Sequence, residues 1–161
     1  MRERERALVA WVRRWCCLAG APADAAGGAN CTVSTTPLEF GQYVPSHAGP
    51  LDFTATLTIA CIASGPDSAS VAGTISLINS GGPSGRELAA GHDRLRYQLF
   101  MDPARTIPWG DGAMQAKSMS AVVGPGSEWR QSFTIYGRIL ARQSHANVGR
   151  YTDNITVVLN Y

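Results

Sequence analysis

Apolar and polar residues alternate along most of this chain. Phe53, Ala55, Leu57, Ile59 and Cys61 are apolar, while Thr54, Thr56 and Thr58 between them are polar. A strand turns successive side chains to opposite faces, so a repeat of two predicts a strand with one buried and one wet face. Val71, Ile75 and Leu77 share a face in the same way, as do Leu95, Tyr97, Leu99 and Met101, with Arg96 and Gln98 facing outward. Phe133, Ile135 and Ile139 alternate with Ser132, Thr134 and Arg138, and the same period runs through Ile155, Val157, Leu159 and Tyr161. Shorter strands are expected from Cys31 to Thr36 and from Met119 to Val123. The pattern therefore predicts about seven strands. Turn-forming clusters divide them, among them Ser64-Gly65-Pro66-Asp67, Asn79-Ser80-Gly81-Gly82-Pro83, Asp111-Gly112 and Gly124-Pro125-Gly126. Beyond the first 25 residues, no stretch of about ten carries the 3.6-residue apolar repeat of an amphipathic helix. The expected class is all-β, an antiparallel β-sandwich.

Length and charge narrow the picture. A chain of 161 residues suits one domain with a real core. No internal repeat or second boundary is visible. The net charge of +2 comes from residues 1–25, where five Arg face Glu3, Glu5 and Asp24; residues 26–161 carry nine basic and nine acidic residues. A nucleic-acid binder needs a basic patch that displaces counterions from phosphate, and no Lys/Arg cluster follows Arg14. Nucleic acid is thus not an expected partner.

Residues 1–25 have the parts of an export signal. A basic stretch runs from Met1 to Arg14, an apolar run from Trp15 to Ala21, and Ala23-Asp24-Ala25 offers a small-x-small cleavage site. The expected domain is then 26–161. Arg13-Arg14 divides a longer apolar run from Ala7 to Ala21, which makes the signal atypical. No later run approaches the roughly 18 apolar residues of a membrane span. Cys16 and Cys17 fall within the signal, leaving Cys31 and Cys61 in the body. They are either two separate buried thiols or a disulfide; export to an oxidising compartment favours the disulfide.

The search for chemistry finds little. His47, His92 and His145 fall in expected loops, without a second ligand at metal-like spacing. Gly82-Pro83-Ser84-Gly85 lacks the closing glycine of a nucleophile elbow. The carboxylates Glu39, Asp52, Glu87, Asp93, Asp102, Asp111, Glu128 and Asp153 include no pair that sequence singles out for glycoside hydrolysis. No catalytic set, metal set or cofactor is expected, and the chain is not expected to be an enzyme. The most distinctive turn is Trp109-Gly110-Asp111-Gly112. It reads as a hairpin turn with Asp-Gly supplying positive φ and Trp109 packing over the sandwich edge. Its alternative is a sugar platform, a tryptophan beside an aspartate, in a freestanding secreted carbohydrate-binding or adhesion module.

Several blocks, in order, resemble the spore coat protein U domain family of archaic chaperone-usher pilus subunits. The likeness starts at Cys31-Thr32-Val33 and Phe40-Gly41-Gln42-Tyr43, then takes in the strand ending in Cys61 and Gly85-Arg86. It continues through Leu95 to Asp102, Arg105-Thr106 and Trp109 to Gly112, and ends with Tyr136 to Ile139, Gln143, Gly149 to Asp153 and Ile155 to Val157. The resemblance implies an immunoglobulin-like sandwich that lacks a strand and is completed by one donated from a neighbour. It implies as partners a periplasmic pilus chaperone, an outer-membrane usher and other pilus subunits, with transit through the periplasm to a surface fibre or coat. The apolar face Ile155, Val157, Leu159 and Tyr161 is the implied chaperone or donor-strand interface. After cleavage only Ala26 to Asn30 would precede the first cysteine of the body, too short to span a groove at about 3.3 Å per residue. The resemblance therefore suggests a subunit that accepts a strand without giving one, at a tip or as a minor component.

Overall fold

The fold is that of a computed structural model, which describes residues 8–19 through their backbone and residues 28–45, 48–79, 85–110 and 115–161 in full. Among the described residues ten strands follow one another: β1 (Leu8–Ala19), β2 (Ala29–Thr35), β3 (Glu39–Tyr43), β4 (Leu51–Ala63), β5 (Ala69–Ile78), β6 (Glu87–Ala90), β7 (Asp93–Phe100), β8 (Lys117–Val123), β9 (Glu128–Ile139) and β10 (Arg150–Asn160). The seven strands expected from the alternation are all present. β1, β3 and β6 are additional to them.

One layer has the order β2-β4-β9-β7. The other is built on β10, which pairs with β5 and β6 on one edge and β1 on the other; β8 extends it beyond β5, and β3 beyond β1. β7 joins the layers. Its first half, Asp93–Arg96, pairs with β6, and its second half, Tyr97–Phe100, pairs with β9. All pairings are antiparallel except β1 with β10.

Alternation puts the core between the layers. Ala55, Leu57, Ile59 and Cys61 of β4 and Phe133, Ile135 and Ile139 of β9 face Val71, Ile75 and Leu77 of β5 and Ile155, Val157 and Leu159 of β10, all of them buried. Burying each large aliphatic side chain contributes roughly 1.5–3 kcal/mol, so this two-sided apolar face is the main drive to fold. Phe40 of β3 packs edge-on against Phe53 and Tyr97, with ring centroids 6.1 and 5.7 Å apart. This cluster presses on the backbone of β9. A Cβ on Gly137 would lie 2.9 Å from Leu38 and 3.0 Å from the Phe40 ring. Gly137→Ala is therefore expected to destabilise by about 1–3 kcal/mol through overpacking. A thermal melt unchanged from wild type would show that the ring moves aside freely.

The disulfide Cys31–Cys61 is formed, between residues directly opposite each other on β2 and β4. On the far side of β4, Asp52 takes two hydrogen bonds from Arg138, at 2.6 and 2.7 Å, which hold its carboxyl below the usual carboxylate range. Asp102 accepts from the Thr106 backbone N–H, the Thr106 hydroxyl and the Ile107 N–H, closing the turn after β7. Within that turn Arg105 adopts φ 57° and lays its guanidinium over the Tyr136 ring.

Candidate strand-acceptor site

β10 is paired along both edges, by different means. One edge is held by β5 from Thr74 to Ile78 and by Ala89 of β6. Among the described residues the other is held by β1 alone, parallel from Val9 opposite Arg150 to Ala19 opposite Leu159. β3 in turn joins this layer only through β1, antiparallel from Leu8 opposite Tyr43 to Trp11 opposite Glu39. Without β1, a slot one strand wide would separate β10 from β3. Its walls would carry unpaired N–H and C=O groups, and its floor would be the apolar core.

The floor consists of residues the sequence singled out. Ile155, Val157 and Leu159 are each at most 1% exposed. Tyr161 is half-buried, and its hydroxyl accepts a 3.3 Å hydrogen bond from the Cys31 backbone N–H. The end of β10 therefore lies beside the disulfide. At the opposite wall, Phe40 and Tyr43 of β3 are buried. The Tyr43 hydroxyl donates to the Leu140 carbonyl at 3.1 Å and accepts from the Gln143 N–H at 2.9 Å. Gln143 completes the brace, its amide nitrogen donating to the Arg96 and Leu140 carbonyls while its oxygen accepts from the Arg96 N–H. Next to this wall, Gln42, Tyr43, Val44, Gly49 and Leu51 line a half-open cleft of about 220 Å³.

A buried polar network supports β10 from the other side. The Tyr97 hydroxyl donates to Asp153 of β10 at 2.6 Å, and the Asn79 amide donates to the same carboxylate oxygen at 3.2 Å. Arg86, 1% exposed, donates to the Leu77 and Trp109 carbonyls at 2.6 and 3.0 Å. Burial, and then the Asp153 charge, push the Tyr97 phenol well above its ordinary value. Its folded pKa is thus raised, so its contribution is complete below the unfolded pKa near 10 and is lost as pH rises toward the folded value. Tyr151, raised chiefly by burial, acts in the same direction. Wild type is expected to lose stability above about pH 10, and Tyr97→Phe to flatten that limb while costing about 1–3 kcal/mol at neutral pH. Denaturant midpoints from pH 8 to 11 measure both; equal alkaline slopes would remove Tyr97 as the cause.

Trp109 belongs to this network. It is 1% exposed and its indole N–H donates to the Ile75 carbonyl at 2.9 Å, so its ring offers no face to a sugar. The Gly110 N–H donates to the Gln115 carbonyl; Asp111 and Gly112 lie outside the described residues, as does His47. His92 and His145 are exposed, and among the described residues no three His, Cys, Asp or Glu side chains group as metal ligands. Most of the described carboxylates have structural partners: Glu87 with Arg94 and Arg96, Asp93 with Asn147, Glu128 with Arg130. Among the described residues no helix is long and apolar enough to cross a membrane.

Sequence reasoning singled out the apolar face of β10 and gave β3 no role. β3 is too short, and too broken by Gly41 at φ 70°, to show alternation. The one signal was the block Phe40-Gly41-Gln42-Tyr43, which carried a resemblance but no assigned role. Gly85-Arg86 was the same kind of signal for the buried guanidinium.

Compared with protein-family models, the chain matches the Spore Coat Protein U domain over residues 19–158. That range takes in β3 and nearly all of β10, but only the last residue of β1. No curated protein matches the chain.

Proposed function

The chain belongs to the spore coat protein U domain family, and from that premise we propose that it is a structural subunit of a secreted surface fibre, completed by donor-strand complementation. The observation that carries this reading is the edge of β10 facing β3, which among the described residues only 8–19 cover, within the stretch that the sequence marks as an export leader. Once the leader is removed, the backbone of β10 and β3 would lie open above Ile155, Val157 and Leu159. Such an edge takes an extended segment, whose main-chain hydrogen bonds give affinity and whose alternate side chains fill the floor. A periplasmic chaperone would cover it in transit, an usher would pass it on, and a neighbouring subunit would fill it in the fibre. Only Ala26 to Asn30 would then precede Cys31, so the subunit accepts a strand and gives none, which fits a tip or a minor component.

Expression in a bacterial periplasm, with and without the pilus chaperone of its own source, tests the reading through intact mass under native conditions. The expected result is a one-to-one complex, with little soluble subunit when the chaperone is absent. A soluble monomer lacking residues 1–25 that ignores the chaperone would overturn it.

A further inference from the structure

The parallel course of β1 has a topological cause. Ala19 ends β1 opposite Leu159, near the end of β10, and β2 begins at Ala29 close to the same place, since Cys31 is hydrogen-bonded to Tyr161. The nine residues between the two strands, 20–28, can reach about 30 Å when fully extended. They join two ends that already lie together. In the opposite direction, Ala19 would stand at the Arg150 end of β10, about 30 Å away, at the limit of the linker. The linker thus favours the parallel register. β1 also matches the slot in length, running from Arg150 to Leu159 along β10, and a register shift between Val12 and Trp15 accommodates one residue more than β10 has. The cleavage motif Ala23-Asp24-Ala25 falls inside the linker, beyond the last paired residue of β1.

From this geometry we propose that residues 8–19 are an intramolecular plug, which closes the acceptor slot of the uncleaved chain against donor strands until the linker is cut. The proposal rests on the acceptor reading above. A tethered segment competes at an effective concentration on the order of 1 mM, so a free strand at about 10 µM occupies only about 1% of slots while the tether is whole. Hydrolysis of the peptide bond after Ala25 by a signal-type peptidase, with water supplying OH and H to the new ends, turns the plug into a free peptide that dilution removes. Cleavage then does two things at once: it frees the domain from its leader, and it makes the domain able to accept a partner. An uncleaved copy cannot be capped by another copy.

The test uses the full chain with a recognition site for a sequence-specific protease substituted into residues 20–27. Intact and nicked samples are refolded from denaturant with the native disulfide kept, each with about tenfold excess of a labelled peptide of residues 8–19 carrying Cys16→Ser and Cys17→Ser, at about 10 µM. Native mass spectrometry is expected to find the label on most nicked molecules and on about 1% of intact ones. Equal labelling of intact and nicked chains would overturn the plug and leave the acceptor reading standing. Labelling of neither would overturn both. As a second measurement, Thr156→Cys places a thiol opposite Cys16 in the register of β1 and β10. Oxidation is expected to link the two within one chain; a predominantly interchain dimer would mean that the segment fills a neighbour's slot, overturning closure in cis.

Discussion

Replacing Arg86 with alanine is expected to lower the unfolding free energy by about 3–5 kcal/mol, a large part of what holds a domain of this size together. The guanidinium is buried and donates to the carbonyls of Leu77 and Trp109, adding to the Leu77 N–H bond to the Gly110 carbonyl and the Trp109 indole bond to the Ile75 carbonyl that already join these segments. Its loss leaves two buried acceptors without their donor and a cavity the size of a long side chain. Arg86→Met separates the two effects. Methionine refills most of the volume, so its deficit relative to wild type is expected to fall to about 1–3 kcal/mol, the cost of the unsatisfied carbonyls. Urea denaturation with unchanged slope reads both values. If alanine and methionine cost the same, packing contributes nothing; if alanine costs under about 1 kcal/mol, the network is not a structural support.

Removing the disulfide is the second large effect. Cys31 and Cys61 close a loop with a sequence separation of 30 residues. On the chain-entropy model this loop is worth about 3–4 kcal/mol, or a fall in melting temperature of about 10 °C for a chain of this length. Cys31→Ala with Cys61→Ala should show the full fall. Reduction of wild type should show a similar one. A double variant that melts within about 2 °C of wild type would mean that the pairing from Ala29 to Thr35 holds the edge strand without help.

The sandwich was legible because its long strands are wet on one face. Thr54, Thr56 and Thr58 mark β4 as clearly as Leu57 and Ile59 do, since each polar residue confirms the period. β6 has four residues and β3 five, which leaves no room for a period to repeat. β1 was hidden for a different reason: an apolar run with basic residues is what both an export leader and a filler strand require, and composition does not separate them. The burial of Arg86 was not legible because charge predicts exposure, and it depends on carbonyls contributed by Leu77 and Trp109, which sequence cannot bring together. Trp109 was read as packing over the sandwich edge, with an exposed sugar platform as the alternative; the indole lies inside, bonded to Ile75. The face of β10 could be read from period alone, but that its edge borders β3 follows from the crossing of the chain between layers.

The position of the disulfide within β2 bears on how the protein meets mechanical force. Cys31 is the third residue of that edge strand. A pull on the chain ahead of Ala29 would strip Ala29 and Asn30 from Ala63 and Ile62, and then come against a covalent bond. From there the load enters β4, which is hydrogen-bonded to β9 from Leu51 to Ile62. The rungs of that ladder share a load applied along the strand, so they must fail together, whereas a strand peeled from its end loses them one at a time. The bond at Cys31 thus changes the joint from a zipper into a lap seam.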